Sequence, residues 1–438
     1  MFSRKQLIKL LAPLIVEQIM AVLVGMVDVV MVAAVGEAAV SGVSLVDSIS
    51  VLIIQIMGAL ATGGAVISAQ YLGKEQPRDA RKAAGQLVSV TLALSMVISL
   101  IAIIGNRHLL GAIFGKVELS VMDNAQTYFL ITALSYPFIG LYNACAALFR
   151  SMGNSKVSMM TSLVMNLINV AGNAICVFGL KMGVAGVAYP TLLSRIIAAA
   201  MMFVLIQDRR NSIRLSSMKS LVPDMGMIKN ILSIGIPGGL ESGMFQFGKI
   251  LQSLVSSLGT ASIAGYAVAS NLVTILYLPG TAIGLGLITI VGQCVGAGRL
   301  SEAKRYAKSL IGVNYAILLV LSSSMVLFSG ELVGIYRLSE QALRLSRELI
   351  TAHSIAMLVW PLAFTIPHTL RASLDARFTM AVSVFSMWTF RIGFAYLFVY
   401  ICKLGVMGIW YGMFIDWIFR AAVFILRFKG FEKRAASV

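Results

Sequence analysis

A single carboxylate interrupts an apolar run near the start of the chain: Asp28, inside "LVGMVDVVMVAAVGEAAVSG" (Leu23–Gly42). Farther on, Asn166, Asn169 and Asn173 recur at the spacing that puts them on one helical face. Asn173 lies as far from the end of its apolar segment as Asp28 does from the end of its own, and Thr191 sits at a similar depth in the next segment. One carboxylate among amide and hydroxyl oxygens suits a hard monovalent cation. The same carboxylate can carry a proton instead. The competing use of such a set is a hydrogen-bond network that only locks helices together. Glu241 stands near the middle of another apolar segment, with Lys249 two turns farther along the same helix as a neutralising partner. Glu17 shares a helical face with Asp28, about three turns earlier. It reads as a second station along a cavity or as the partner of a polar group on a neighbouring helix. Arg391 and Asp416, at matched depth in adjacent segments, read as a structural ion pair, and Arg195 has no evident partner in the sequence. Tyr277, Trp360, Phe364, Trp388 and Trp410 can face flat cations, although packing and interfacial belts are the commoner use of such residues.

The elements that position these groups are membrane spans. Of 438 residues, 58% are hydrophobic and 12% charged, about half the charged fraction of a soluble domain. Apolar runs follow one another almost end to end, at roughly 9–35, 45–71, 83–105, 121–149, 157–180, 185–206, 228–258, 263–294, 306–329, 344–370, 377–402 and 405–427. This is an all-α integral membrane protein of twelve spans, and a soluble reading is excluded. Arg4, Lys5 and Lys9 lead straight into the first span, so no cleaved leader is expected. Cys145, Cys176, Cys294 and Cys402 lie in or at the ends of spans and imply no disulfide framework. The net charge of +17 does not point to nucleic acid, because it sits in alternate short gaps. Lys74, Arg78, Arg81 and Lys82 fill one, Arg209, Arg210, Arg214 and Lys219 another, and Arg371 and Arg377 a third. The ninth gap, with Arg337, Arg344 and Arg347, departs from the alternation. The positive-inside rule then places both termini and the middle loop in the cytoplasm. That loop divides the chain into a first lobe (1–206), a linker (207–227) and a second lobe (228–438).

The halves repeat. Pro13-x-x-x-Glu17 matches Pro237-x-x-x-Glu241, and Gly36–Gly42 matches Gly259–Gly265. "AQYLGKEQPRDARK" (Ala69–Lys82) matches "GQCVGAGRLSEAKR" (Gly292–Arg305). "RSMGNSK" (Arg150–Lys156) matches "RASLDAR" (Arg371–Arg377), and "GVAGVAY" (Gly183–Tyr189) matches "GVMGIWY" (Gly405–Tyr411). Six spans per half make the repeat parallel, an arrangement that commonly encloses a cavity opening alternately to each side. No acid stands at the second-copy equivalent of Asp28, so the two halves are expected to do different work, with Glu241 serving the second.

These motifs resemble the MATE (multidrug and toxic compound extrusion) family along nearly the whole chain. "VDVVMVAAVG", "AQYLG", "FRSMGNSK" and "NLINVAGNAICVFGLKMGVAGVAYPT" carry the resemblance in the first half; "GIPGGLE", "VGAGRLSEAKR" and "LRASLDARF" carry it in the second. The resemblance implies two pseudo-symmetric six-helix lobes and export of organic, often cationic, compounds in exchange for Na+ or H+. It places Asp28, Asn169, Asn173 and Thr191 on a first-lobe cation site, with no metal other than Na+. Asparagine rather than an acid at 173 is more like the NorM-type branch, whose members carry an acid in the seventh span, where Glu241 stands. Glu241, Glu17, Lys249 and Arg195 are then candidates for substrate binding or coupling. The chain is expected to be a non-enzymatic antiporter of the plasma (inner) membrane, monomeric, with a small organic substrate and no cofactor beyond the coupling ion. It has no G-x-x-x-x-G-K-[ST] phosphate loop. The rival reading is a flippase for a lipid-linked precursor from the same superfamily, which Arg195, Lys249 and Arg391 leave open.

Overall fold

The computed structural model describes residues 1–115, 117–215, 222–248, 250–336 and 338–436; Lys219, Lys249 and Arg337, drawn on above, lie outside the described residues. Those residues are helical, with short π-helical turns and no strand among them. α1 (Arg4–Ala33) opens with a capping box in which Gln6 N–H donates to Ser3 Oγ and Ser3 N–H donates to Gln6 Oε1. α2 (Glu37–Gly73) and α3 (Pro77–Phe114) follow, the latter with proline in its first turn, where no N–H is missed. α4 (Leu119–Leu134) and α5 (Tyr136–Ser151) are one span bent by 46°, at Pro137, which cannot donate to the preceding turn. α6 (Ser155–Ala174) runs into a π-helical turn, Ile175–Gly179, before α7 (Ala185–Ile206).

The second half continues with α8 (Met225–Phe247), α9 (Ile250–Ser256), α10 (Thr260–Gly296) and α11 (Leu300–Leu327). α12 (Ser329–Gly334) leads to α13 (Glu340–Ala356) and α14 (Ile366–Ala372), which with the π turn Pro361–Thr365 make a span bent by 61°. The last elements are α15 (Ala376–Ser386), α16 (Phe394–Tyr396), α17 (Gly405–Lys429) and α18 (Phe431–Ala435). Among the described residues nine helices are long and apolar enough to cross a membrane, and the two bent pairs bring the number to eleven. The seventh span read from the sequence, 228–258, falls on α8 and α9, which are not among these.

Two compact units emerge, Phe2–Gly239 and Leu240–Val438 with Met1. In the first, α2 touches its neighbours through glycine. A Cβ on Gly63 would lie 2.5 Å from the carbonyl oxygen of Ile231 in α8, and one on Gly42 would lie 2.9 Å from backbone atoms of α4. Such contact is how helices pack when lipid offers no hydrophobic drive.

The repeat is visible in the backbone itself. All ten described residues with positive φ fall into five equivalent pairs: Gly36/Gly259, Glu75/Gly298, Gly153/Leu374, Lys181/Lys403 and Gly183/Gly405. At two of these pairs one copy has glycine and the other a residue that must bear the left-handed strain. The turns are therefore conserved between the halves more strictly than the residues that form them.

Candidate cation site

α1, α6 and α7 of the first unit build the site. α6 and α7 approach closely because Gly172 faces Pro190, whose Cβ would stand 2.7 Å from an added Cβ. That contact sets Asn169 and Asn173 beside Thr191, and α1 lies against the same face of α6. Asn173 Nδ2 donates to Asp28 Oδ1 at 2.9 Å. The Asn169 amide satisfies both neighbours with its nitrogen toward Asp28, 2.9 Å from Oδ1 and 3.3 Å from Oδ2, and its oxygen 2.9 Å from Thr191 Oγ1. Asn173 is fully buried and Asn169 nearly so. Two amides thus hold the carboxylate, and the Thr191 hydroxyl, which also bonds the Val187 carbonyl, stands behind one of them.

This cluster opens on a cavity of about 250 Å³ in the first unit. Arg195 and Asn166 line it as well, and Arg195 Nη1 donates to Ser135 Oγ at 2.7 Å, supplying the partner that the sequence did not reveal. Two further lining residues went unnoticed in the sequence, Asp47 of α2 and Tyr128 of α4, whose hydroxyl donates to Asp47 Oδ1 at 3.3 Å. An acid inside the apolar run "VSLVDSIS" was the available signal for Asp47.

With the geometry in place, comparison with known proteins decides the family. The MatE family model matches residues 13–175 and 242–397. The chain belongs to the MatE family. Its members are multi-pass membrane transporters, and this chain is one of them. It is 26% identical to an uncharacterized transporter, YisQ, of Bacillus subtilis, over 93% of this chain and 90% of that one. It is also 26% identical to a probable multidrug resistance protein NorM of Thermotoga maritima, over 99% and 94%. A solved outward-facing multidrug resistance MATE family transporter of the MOP superfamily shares the fold with a TM-score of 0.93, at 18% identity, over 99% of this chain and 97% of that one.

Within this MatE chain the remaining sequence candidates separate into repeated and unrepeated groups. Glu17 accepts from Ser158 Oγ at 3.0 Å and lies 3.8 Å from Arg150 Nη1. Its repeat equivalent, Glu241, accepts from Arg371 Nη2 at 2.6 Å, and Arg371 Nε also donates to Thr379. Arg150/Arg371 and Ser158/Thr379 are themselves equivalent positions, so each unit carries the same acid–arginine latch. Lys249, the partner considered for Glu241 from the sequence, lies outside the described residues. Because the Glu241–Arg371 pair is largely buried, Glu241→Gln and Arg371→Gln are each expected to lower stability by about 3 kcal/mol. The double variant should recover about 1–3 kcal/mol of the sum. A double-mutant cycle in detergent reads this, and strictly additive losses would dismiss the latch.

The Arg391–Asp416 pair has a different emphasis from the one read in the sequence. Arg391 Nε is 3.9 Å from Asp416 Oδ2, whereas Arg420 Nε, one helical turn along α17, is 2.6 Å from Oδ1. Ser386 Oγ also donates to Oδ1. Arg420, fully buried, lies over the rings of Phe245 and Phe364. The aromatic residues divide too. Trp360 and Phe364 stack, Tyr277 donates or accepts a 2.8 Å hydrogen bond with His353, and these pack around Trp417. They form packed core of the second unit. Trp388 is exposed, and Trp410 lines a cavity.

Proposed function

We propose that the chain is a secondary active antiporter that exports organic, cationic compounds in exchange for Na+ or H+ by alternating access. The reading carries with it a plasma-membrane location, cytoplasmic termini and a monomeric unit. The observation that carries it is the Asp28–Asn169–Asn173–Thr191 cluster on a cavity wall. Both amides now point nitrogen at Asp28. Turning each by half a rotation would present oxygens, and with the carboxylate and Thr191 these make a coordination set for Na+. A proton needs no such turn: it converts one Asp28 oxygen from acceptor to donor and releases an amide N–H. Either event changes the hydrogen bonding that ties α1 to α6, and a helix whose ties depend on ion occupancy can couple the ion to a second ligand. Relatives named as multidrug resistance proteins support an organic, drug-like substrate.

The deciding experiment reconstitutes the purified chain in liposomes with a fluorescent organic cation. Transport against its own gradient driven by an imposed Na+ gradient, or by a pH gradient, establishes antiport and names the ion. Absence of transport under both, with a lipid-linked substrate moved instead, would replace this reading with the flippase.

A further inference from the structure

The first-unit cavity has a counterpart in the second unit, built at equivalent positions of the repeat but with its charge reversed. Gly25, Asp28 and Val43 line the first; their equivalents Gly248, Leu251 and Tyr266 line a cavity of about 240 Å³ in the second. Val187 and Thr191 correspond likewise to Ile409 and Met413. The carboxylate and the hydroxyl of the cation cluster have no second-copy successors, since leucine stands for Asp28 and methionine for Thr191; Asn169 falls at Phe390 or Arg391, within the second copy's π turn, and Asn173 beyond it at Ala395. Among the described residues, the charged one that lines this second cavity is Arg391. It sits in the π-helical turn Met387–Gly393, whose first-copy equivalent is ordinary α-helix within α6. A π turn inserts a residue and re-aims the side chains around it, and such turns gather at functional sites.

Arg391 is under-used where it stands. Among the described residues it donates no hydrogen bond; its contacts are the 3.9 Å approach to Asp416 and the Phe245 ring at 5.8 Å. Asp416 Oδ1 is taken by Arg420 and Ser386, and Oδ2, the oxygen nearer Arg391, accepts no hydrogen bond among the described residues. Three guanidinium groups in this part of the unit, on Arg371, Arg391 and Arg420, meet two carboxylates, Glu241 and Asp416. One positive charge is left over, and it faces a cavity walled by Phe245, Tyr266 and Trp410, with the Gln252 amide beside them. A planar fork of donors and flat apolar walls recognise a carboxylate attached to an aromatic ring. We propose that this cavity binds a small aromatic carboxylate through Arg391. The proposal goes beyond cation-coupled export and does not depend on it, since binding needs neither ion gradient nor transport.

Equilibrium dialysis of the full chain in detergent with radiolabelled benzoate tests it, with neutral benzamide as the matched probe. Benzoate should bind at least ~10-fold more tightly than benzamide. Arg391→Gln should erase that preference while Arg391→Lys keeps part of it. Met413→Trp, which fills the cavity and leaves the charge in place, should remove benzoate binding as well, and it decides the matter should Arg391→Gln fail to fold. Equal binding of benzoate and benzamide would overturn the proposal. So would a benzoate preference that survives either Arg391→Gln or Met413→Trp.

Discussion

Asp28→Asn is expected to reduce ion-driven transport in liposomes by about 100-fold or more, with the melting temperature in detergent almost unchanged. The substitution keeps the size of the side chain and one acceptor oxygen, so an amide N–H from Asn169 or Asn173 retains a partner. What it removes is the negative charge that would hold Na+ and the basic oxygen that would take a proton. A loss of about 3 kcal/mol in ion binding corresponds to that factor. The helix-lock reading predicts the opposite pattern, in which stability falls and the transport that survives unfolding stays coupled. Near-normal coupled transport by Asp28→Asn would reduce the cluster to packing.

The second large effect is expected at Asp416. Asp416→Ala should destabilise the protein by about 3–5 kcal/mol, because it leaves the fully buried Arg420 guanidinium without its carboxylate. Arg420 would keep its bond to the Ser383 carbonyl and its seat over Phe245 and Phe364, which do not neutralise it. Asp416→Leu combined with Arg420→Met should restore much of the loss, since an apolar pair of similar volume needs no compensation. Unfolding midpoints of the single and double variants in the same detergent measure both. A single variant that melts within a degree or two of the parent would mean that the charge is relieved by water or by Arg391 moving away.

Within the sequence, different features had different reach. Spans and turns were legible, because a membrane demands long apolar helices and because three of the five turn pairs repeat as letters as well as dihedral angles. The cluster around Asp28 was legible as well, since its members lie on uninterrupted helix where three- and four-residue spacing keeps a constant face. The partners of Asp416 were not. Arg420 is four residues away on the same helix, but three arginines compete in that region, and their ranking depends on distances that no spacing rule supplies. Asp47 escaped for a related reason: it joins the cavity beside Tyr128 of α4, a meeting of two elements that no spacing within α2 announces.

The sequence by itself determined a duplicated, helical membrane transporter of the MatE family with a carboxylate in one copy. Tertiary structure alone decided which groups meet. It paired Glu17 and Glu241 with equivalent arginines, and it gave the second copy of the cavity an arginine in place of the acid. The physical reason is helical phase. Proline bends and π turns shift every following residue around the helix by an amount that the sequence does not print, so azimuth can be read along an unbroken helix but not past such a break.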